Sequence, residues 1–177
     1  MKNIVEQLSE YKSVHFNKKN IQTHFVGIPL IVFSLTILLN LLQFDIHLDS
    51  GIFVLTAAEI FYSIALIYYF ILHWRLALGM VLYIIPNLYL ASLVTPLEHS
   101  GSIAIAIFVV GWIIQFIGHN FEKAKPAFVE DLSKFLIGPL FLMAEVYFAL
   151  GFAKQLKADI TPLARDLRRE IEAAKRA

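Results

Sequence analysis

The sequence predicts an all-α, polytopic integral membrane bundle of four spans plus a fifth or re-entrant helix, and three observations predict it. Of 177 residues, 58% are hydrophobic and 16% charged, whereas a soluble domain carries about 25% charged residues. The apolar excess is gathered into blocks of span length, and mean hydropathy is +0.68. Lysine and arginine are confined to alternate connections between the blocks, the pattern of a chain that crosses a bilayer repeatedly.

Taken in order, residues 1–25 form a polar segment in which Ile4, Leu8, Tyr11 and His15 recur at helical spacing. That spacing predicts a short helix lying on the membrane surface. Asn17-Lys18-Lys19-Asn20 predicts a break, with Asn20 as the N-cap of the next helix. Five apolar runs follow, over 26–44, 52–72, 76–95, 103–118 and 135–153. A span needs about 20 apolar residues. The first three runs meet that length, and the fourth reaches it through the polar stretch behind it. The fifth carries Gly138, Pro139 and Glu145, which predicts a broken, tilted or re-entrant helix. Residues 154–177 mix basic and acidic side chains and predict an exposed amphipathic tail. No repeat or linker divides the chain, so one domain over 1–177 is expected. The first 25 residues lack the apolar core and cleavage site of a signal peptide, so the first span is expected to serve as the targeting signal.

Charge orients the bundle. Lys2, Lys12, Lys18, Lys19, Arg75, Lys123, Lys125 and Lys134 fall on one set of connections, and the loops at 45–51 and 96–102 hold no lysine or arginine. The positive-inside bias then puts the N-terminus in the cytoplasm, in a bacterial inner membrane or an endoplasmic reticulum. His15, His24, His73 and His119 come to the cytoplasmic side, and His47 and His99 to the other. A net charge of +1 leaves no basic face for nucleic acid. The absence of cysteine excludes disulfides, thiolate catalysis and sulfur-ligated metal sites.

Two polar clusters interrupt the apolar sequence. Tyr11, His15, Asn20 and His24 precede Gly27 and Pro29, while Trp112, Gln115, His119 and Glu122 recur at three- and four-residue steps before Pro126. Imidazole and carboxylate are costly beside hydrocarbon, so such groups mark function. His15 and His24, nine positions apart, point to opposite sides of a straight helix and share a centre only if the chain bends between them. Two or three imidazoles with a carboxylate and no sulfur suit non-haem Fe(II) with open positions, or zinc. His15, His24, His119 and Glu122 are the candidate ligands, and Tyr11, Asn20 and Gln115 the groups that orient them. Glu122 reads equally well as a loop charge beside Lys125. The isolated His47, His73 and His99 read as interfacial side chains. Glu59, Asn87 and Glu145 lie inside apolar runs and should face the bundle interior. Glu59 and Asn87 suit interhelical hydrogen bonds, and Glu145 reaches the site if its helix re-enters.

These residues resemble a known family. Tyr11, His15, Asn20, His24 and Pro29 carry the likeness, with the run Gly111-Trp112-Ile113-Ile114-Gln115-Phe116-Ile117-Gly118-His119 and then Phe121-Glu122-Lys123 and Pro126-Ala127. Asn87 and the stretch from Glu145 to Leu150-Gly151-Phe152 extend it over most of residues 11–155. The pattern is similar to that of the membrane 2-hydroxy fatty acid dioxygenases of fungal fatty-acid α-oxidation and their bacterial relatives. The resemblance implies an Fe(II)-dependent enzyme that turns a 2-hydroxy fatty acid and O2 into CO2 and the acid one carbon shorter. It implies ligand or catalytic roles for His15, His24 and His119. Lys18, Lys19 or Lys123 is placed to steer the substrate carboxylate. The residues alone also allow a metal-dependent lipid hydrolase, or a small transporter or lipid-binding scaffold lined by Glu59 and Glu145. Expected partners are a fatty-acid or lipid substrate, O2 and membrane lipids, with a homo-oligomer left open.

Overall fold

A computed structural model describes residues 2–48, 51–122 and 134–175. The described residues form helices and one hairpin, in the order α1 (Ile4–Ser13), α2 (Lys18–Asn40), β1 (Gln43–Leu48), β2 (Gly51–Thr56), α3 (Ala57–Val94), α4 (Ser100–Glu122), α5 (Lys134–Ala149) and α6 (Lys154–Ala174). Among the described residues, three helices are long and apolar enough to cross a membrane: α2, α3 and α4. The bent pair α5–α6, turned by 120°, brings the number to four if it counts as one span.

Beside an apolar core that includes Phe141, Leu76 and Ile137, many large apolar side chains are exposed. Leu82, Ile71, Ile64 and Ile67 are among the most exposed side chains, while Ala58, Ala65, Ala77, Ala91, Ala104, Gly27 and Gly111 face inward. Small residues inside and branched aliphatics outside suit helices packing within lipid, where close backbone approach replaces the hydrophobic drive. The α2–α4 pair is the most extensive contact in the molecule. A Cβ placed on Gly111 would lie 2.8 Å from Ile31 Cγ1 and 3.1 Å from the Gly27 carbonyl. One on Gly27 would lie 2.9 Å from the Gly111 carbonyl. The helices therefore cross backbone to backbone.

Helix α3 is two helices joined at His73, whose φ of −164° and ψ of 98° break the ladder. The His73 Nδ1 accepts a hydrogen bond from the Leu76 amide at 3.2 Å, capping the second half. The halves fold back on each other. Tyr62 from the first and Asn87 from the second both reach Thr36 of α2, at 2.6 Å in each case. The sequence expectation of two runs around a very short turn at 73–75 matches this hinge.

Three expectations are corrected. The 43–56 stretch, expected as the end of one span, a loop over 45–51 and the start of the next span, forms an antiparallel hairpin pairing Gln43 with Thr56. The N-cap of α2 is Asn17, whose side chain accepts from the Lys19 amide. Asn20 lies inside the helix and is fully buried. Among the described residues Glu59 forms no interhelical bond but a capping box with Thr56 at the start of α3: its carboxylate accepts from the Thr56 amide while the Thr56 hydroxyl accepts from the Glu59 amide.

The fifth apolar run has both ends on one side of the molecule. At the start of α5, Lys134 Nζ donates to Gln7 (2.8 Å) and Glu10 (2.5 Å) of α1, and near its end Glu145 accepts from Lys12 of the same helix at 2.6 Å. Sixteen residues of helix rise about 24 Å, short of the roughly 30 Å hydrocarbon layer. Helix α6 returns along α1. Every described lysine and arginine thus lies at the end of the bundle formed by α1, α5, α6 and the α3 hinge, while the hairpin and the 95–99 turn form the other end.

Candidate metal centre

Three helices bring three imidazoles together. His15 follows α1 at the bend of residues 14–17, His24 sits in the second turn of α2, and His119 in the last turn of α4. One ring nitrogen from each lies within 4.8 Å of the other two, and all three side chains are buried. Ring centroids are 4.6 Å apart for His15–His24 and 5.0 Å for each pairing with His119. The bend that the spacing of His15 and His24 requires is present.

The tautomers are set by backbone. The Nδ1–H of His15 donates to the Tyr11 carbonyl, and that of His24 to the Asn20 carbonyl at 2.8 Å. With Nδ1 as donor, each Nε2 carries a bare lone pair, and these two atoms face each other at 3.0 Å. Two lone pairs at that distance repel unless a cation lies between them. Protonating a ring is disfavoured: burial, then the neighbouring His24, holds the His15 pKa well below the ordinary value of 6.5. Buried neutral imidazoles with converging Nε2 atoms and Nδ1–H groups tied to carbonyls are what a first-row divalent metal requires. The donor set fits such an ion.

The other expected site residues surround this group. Tyr11 stacks flat on His15 (centroids 4.2 Å, planes 2° apart) and against Phe141. Burial pushes the Tyr11 phenol pKa up, so it remains a neutral donor. Gln115 is buried beside His24 and His119, and among the described residues its Nε2 has no hydrogen-bond partner. Asn20 Nδ2 reaches Glu122 at 3.2 Å.

Glu122 stands apart from the three imidazoles. Its carboxylate accepts from the Phe16 and Asn17 amides (3.2 and 2.7 Å), from Asn20, and from Arg168 at 2.9 Å. In this geometry it clamps the α1–α2 bend to the end of α4, a different position from that expected of a ligand. The reason is local: the bend exposes two amides that α2 cannot pair, and a buried carboxylate satisfies both. Glu145 is paired with Lys12 and not with the centre. Lys123 lies outside the described residues. Lys18 and Lys19 are exposed on the first turn of α2. His47 and His99 belong to the opposite end, and His73 to the hinge.

Sequence reasoning missed Lys134 and Arg168. Lys134 is buried and lines the cavity beside His24 and His119. Arg168 of α6 also donates to the carbonyls of Ser13 and Glu122, at 3.4 and 3.2 Å. Neither role has a local signature, because the partners that tie these cations to the site are 46 or more positions away.

Fold and centre together define a class: a membrane-type helical bundle holding a sulfur-free, three-imidazole centre at one end. Within that class, the family model described as "2-hydroxy-palmitic acid dioxygenase Mpo1-like" matches residues 1–150, and the chain belongs to this family. A relative from Saccharomyces cerevisiae, named 2-hydroxy-palmitic acid dioxygenase MPO1, is 33% identical over 157 residues, covering 87% of this chain and 85% of the yeast protein. No solved structure matches.

Proposed function

We propose that the protein is a membrane non-haem Fe(II) dioxygenase that converts a 2-hydroxy fatty acid and O2 into the one-carbon-shorter fatty acid, CO2 and water. The observation that carries this reading is the pair of tautomer-locked Nε2 atoms at 3.0 Å with His119 closing the group. Family membership supplies the reaction class.

The balance closes. One C–C bond breaks, the hydroxylated carbon becomes a carboxylic acid, the old carboxyl leaves as CO2, and O2 takes up four electrons. Fe(II), held by His15, His24 and His119, supplies the one-electron chemistry that lets triplet O2 react with a closed-shell substrate. The carbonyls of Tyr11 and Asn20 keep both locked rings presenting Nε2. Gln115 has an unsatisfied amide N–H in the cavity beside two of the imidazoles, where it can donate to a substrate oxygen. Lys134, fixed by Glu10 and Gln7, adds a cation to the same cavity wall. Tyr11 and Phe141 cover His15 and exclude bulk water from it. The positive residues gathered at this end favour a cytoplasmic orientation for it.

The deciding experiment reconstitutes anaerobically purified protein with Fe(II), adds 2-hydroxypalmitic acid and then O2. One O2 consumed per pentadecanoic acid formed is expected, with no product under nitrogen. Product formed without O2, or by metal-free protein, overturns the reading.

A further inference from the structure

The cavity beside the imidazoles does not stop there. A second cavity, about 100 Å³ and almost wholly apolar, shares four wall residues with it: Ile31, Val32, Phe135 and Pro139. It continues between α2, α5 and the two halves of α3 toward the middle of the bundle. His24, His119 and Gln115 line the first cavity, and Leu35, Tyr62 and Ile84 line the second, beyond the shared walls.

The far wall is fixed in place. Thr36, one residue beyond Leu35, donates to the Val32 carbonyl at 2.7 Å and accepts from Tyr62 and from Asn87 at 2.6 Å each. Helix α2 and both halves of α3 are tied together there, so Tyr62 is held against movement out of the way. From His24 to Leu35 the helix rises about 16 Å. An extended alkyl chain with C–C bonds of about 1.5 Å advances about 1.3 Å per carbon. That length matches about 12–13 carbons beyond the reacting end.

The geometry points to this space as an acyl-chain ruler in which the tail of the substrate lies along Ile31 and Val32 and ends at the Tyr62–Thr36–Asn87 tie. The inference rests on the dioxygenase reading for what occupies the head of the channel, and it assigns Ala65, Tyr62 and Ile84 as the residues that set acyl length. Ala65 is buried, lines the channel, and lies on the same face as Tyr62 and Tyr69. A larger side chain there shortens the space. Ile84→Ala lengthens it.

Two arms test this. In the first, the full chain in detergent, loaded with Fe(II), is assayed against saturated 2-hydroxy acids of 8 to 20 carbons. Ala65→Leu is expected to lower kcat/KM for the 16-carbon acid by about tenfold or more, the scale on which pockets discriminate misfitting methylenes, while the 8-carbon acid changes little. Ile84→Ala is expected to shift the optimum to longer acids. Iron content equal to wild type controls for folding. In the second arm, a 16-carbon 2-hydroxy acid with a diazirine near its terminal carbon is photolysed with wild-type protein. Labelling is expected near Leu35, Tyr62 and Ile84 and should be displaced by unmodified acid. Turnover with unchanged length preference in both variants, or labelling confined to outward residues such as Leu82 and Ile64, overturns the ruler and leaves the dioxygenase reading intact. Displaceable labelling at the far wall without turnover supports the channel and overturns the dioxygenase.

Discussion

Two buried polar clusters, one at the centre and one deep in the bundle, differ in what they leave unsatisfied. At the Thr36–Tyr62–Asn87 tie every contact is a donor meeting an acceptor: Thr36 gives its proton to Val32 and receives two. At the imidazole centre two acceptors face each other across 3.0 Å, and the backbone forbids either ring from turning to relieve it. The first cluster is complete without a ligand. The second is one that a bound cation would complete. Closed polarity holds helices together, and open polarity of this kind marks where chemistry occurs.

The sharpest way to break the contrast is to remove one ring. His24→Ala is expected to abolish bound iron, from about one ion per chain to background by metal analysis, with helical content unchanged by circular dichroism. Losing one of three ligands removes a chelating arm that the remaining pair cannot replace. Retention of full iron would sink the assignment of the centre.

The crossing that brings His24 and His119 together is the next target. Gly111→Val places a branched side chain against Ile31 and the Gly27 carbonyl, and overpacking of this kind costs about 1–3 kcal/mol. A lower Tm in detergent together with weakened iron retention is expected, because both imidazoles ride on these two helices.

Arg168→Ala removes a cation from the nearly inaccessible Glu122 carboxylate. Arg168 is itself one-fifth exposed, so the cost is discounted to about 1–2 kcal/mol. It should appear as faster exchange of the amides of Phe16 and Asn17.

Acid should affect the centre through His15. Its folded pKa is depressed, so metal-free protein keeps full stability above the unfolded value of about 6.5. Stability falls as pH drops below that value, because only the unfolded chain takes up the proton. Thermal unfolding of chelator-treated protein between pH 8 and 5 checks the sign; a Tm that rises on acidification would falsify it. The smallest effect is expected at the closed cluster. Thr36→Val removes two interhelical hydrogen bonds, each usually worth about 0.6 kcal/mol in a membrane, so it should cost about 1 kcal/mol and leave iron content unchanged.

The sequence made the centre legible because histidine is conspicuous in hydrocarbon. The positions of positive charge brought His15, His24 and His119 to one side, and their spacing required a bend, expected at 17–20 and found at 14–17. What stayed hidden depended on partners far away in the chain. Glu122 carries the same formal charge whether it grips a metal or two amides, and only the bend chooses. Lys134 and Arg168 look like ordinary surface cations until α5 and α6 fold onto α1. The hairpin was masked because Phe44, Ile46 and Ile52 are as apolar as the spans they adjoin. Asn17 and Asn20 are both plausible caps, and the clamp on Glu122 takes Asn20 inward.

The aiming of His15 and His24 is entrusted to main-chain oxygens, those of Tyr11 and Asn20. An oxygen of that kind is supplied by any amino acid, so substitution at positions 11 or 20 disturbs ring stacking or the Glu122 clamp without freeing either imidazole to flip. The two rings are thereby insulated from mutational drift in their own tethers, and only unwinding of the helical turn that carries each one would misdirect it.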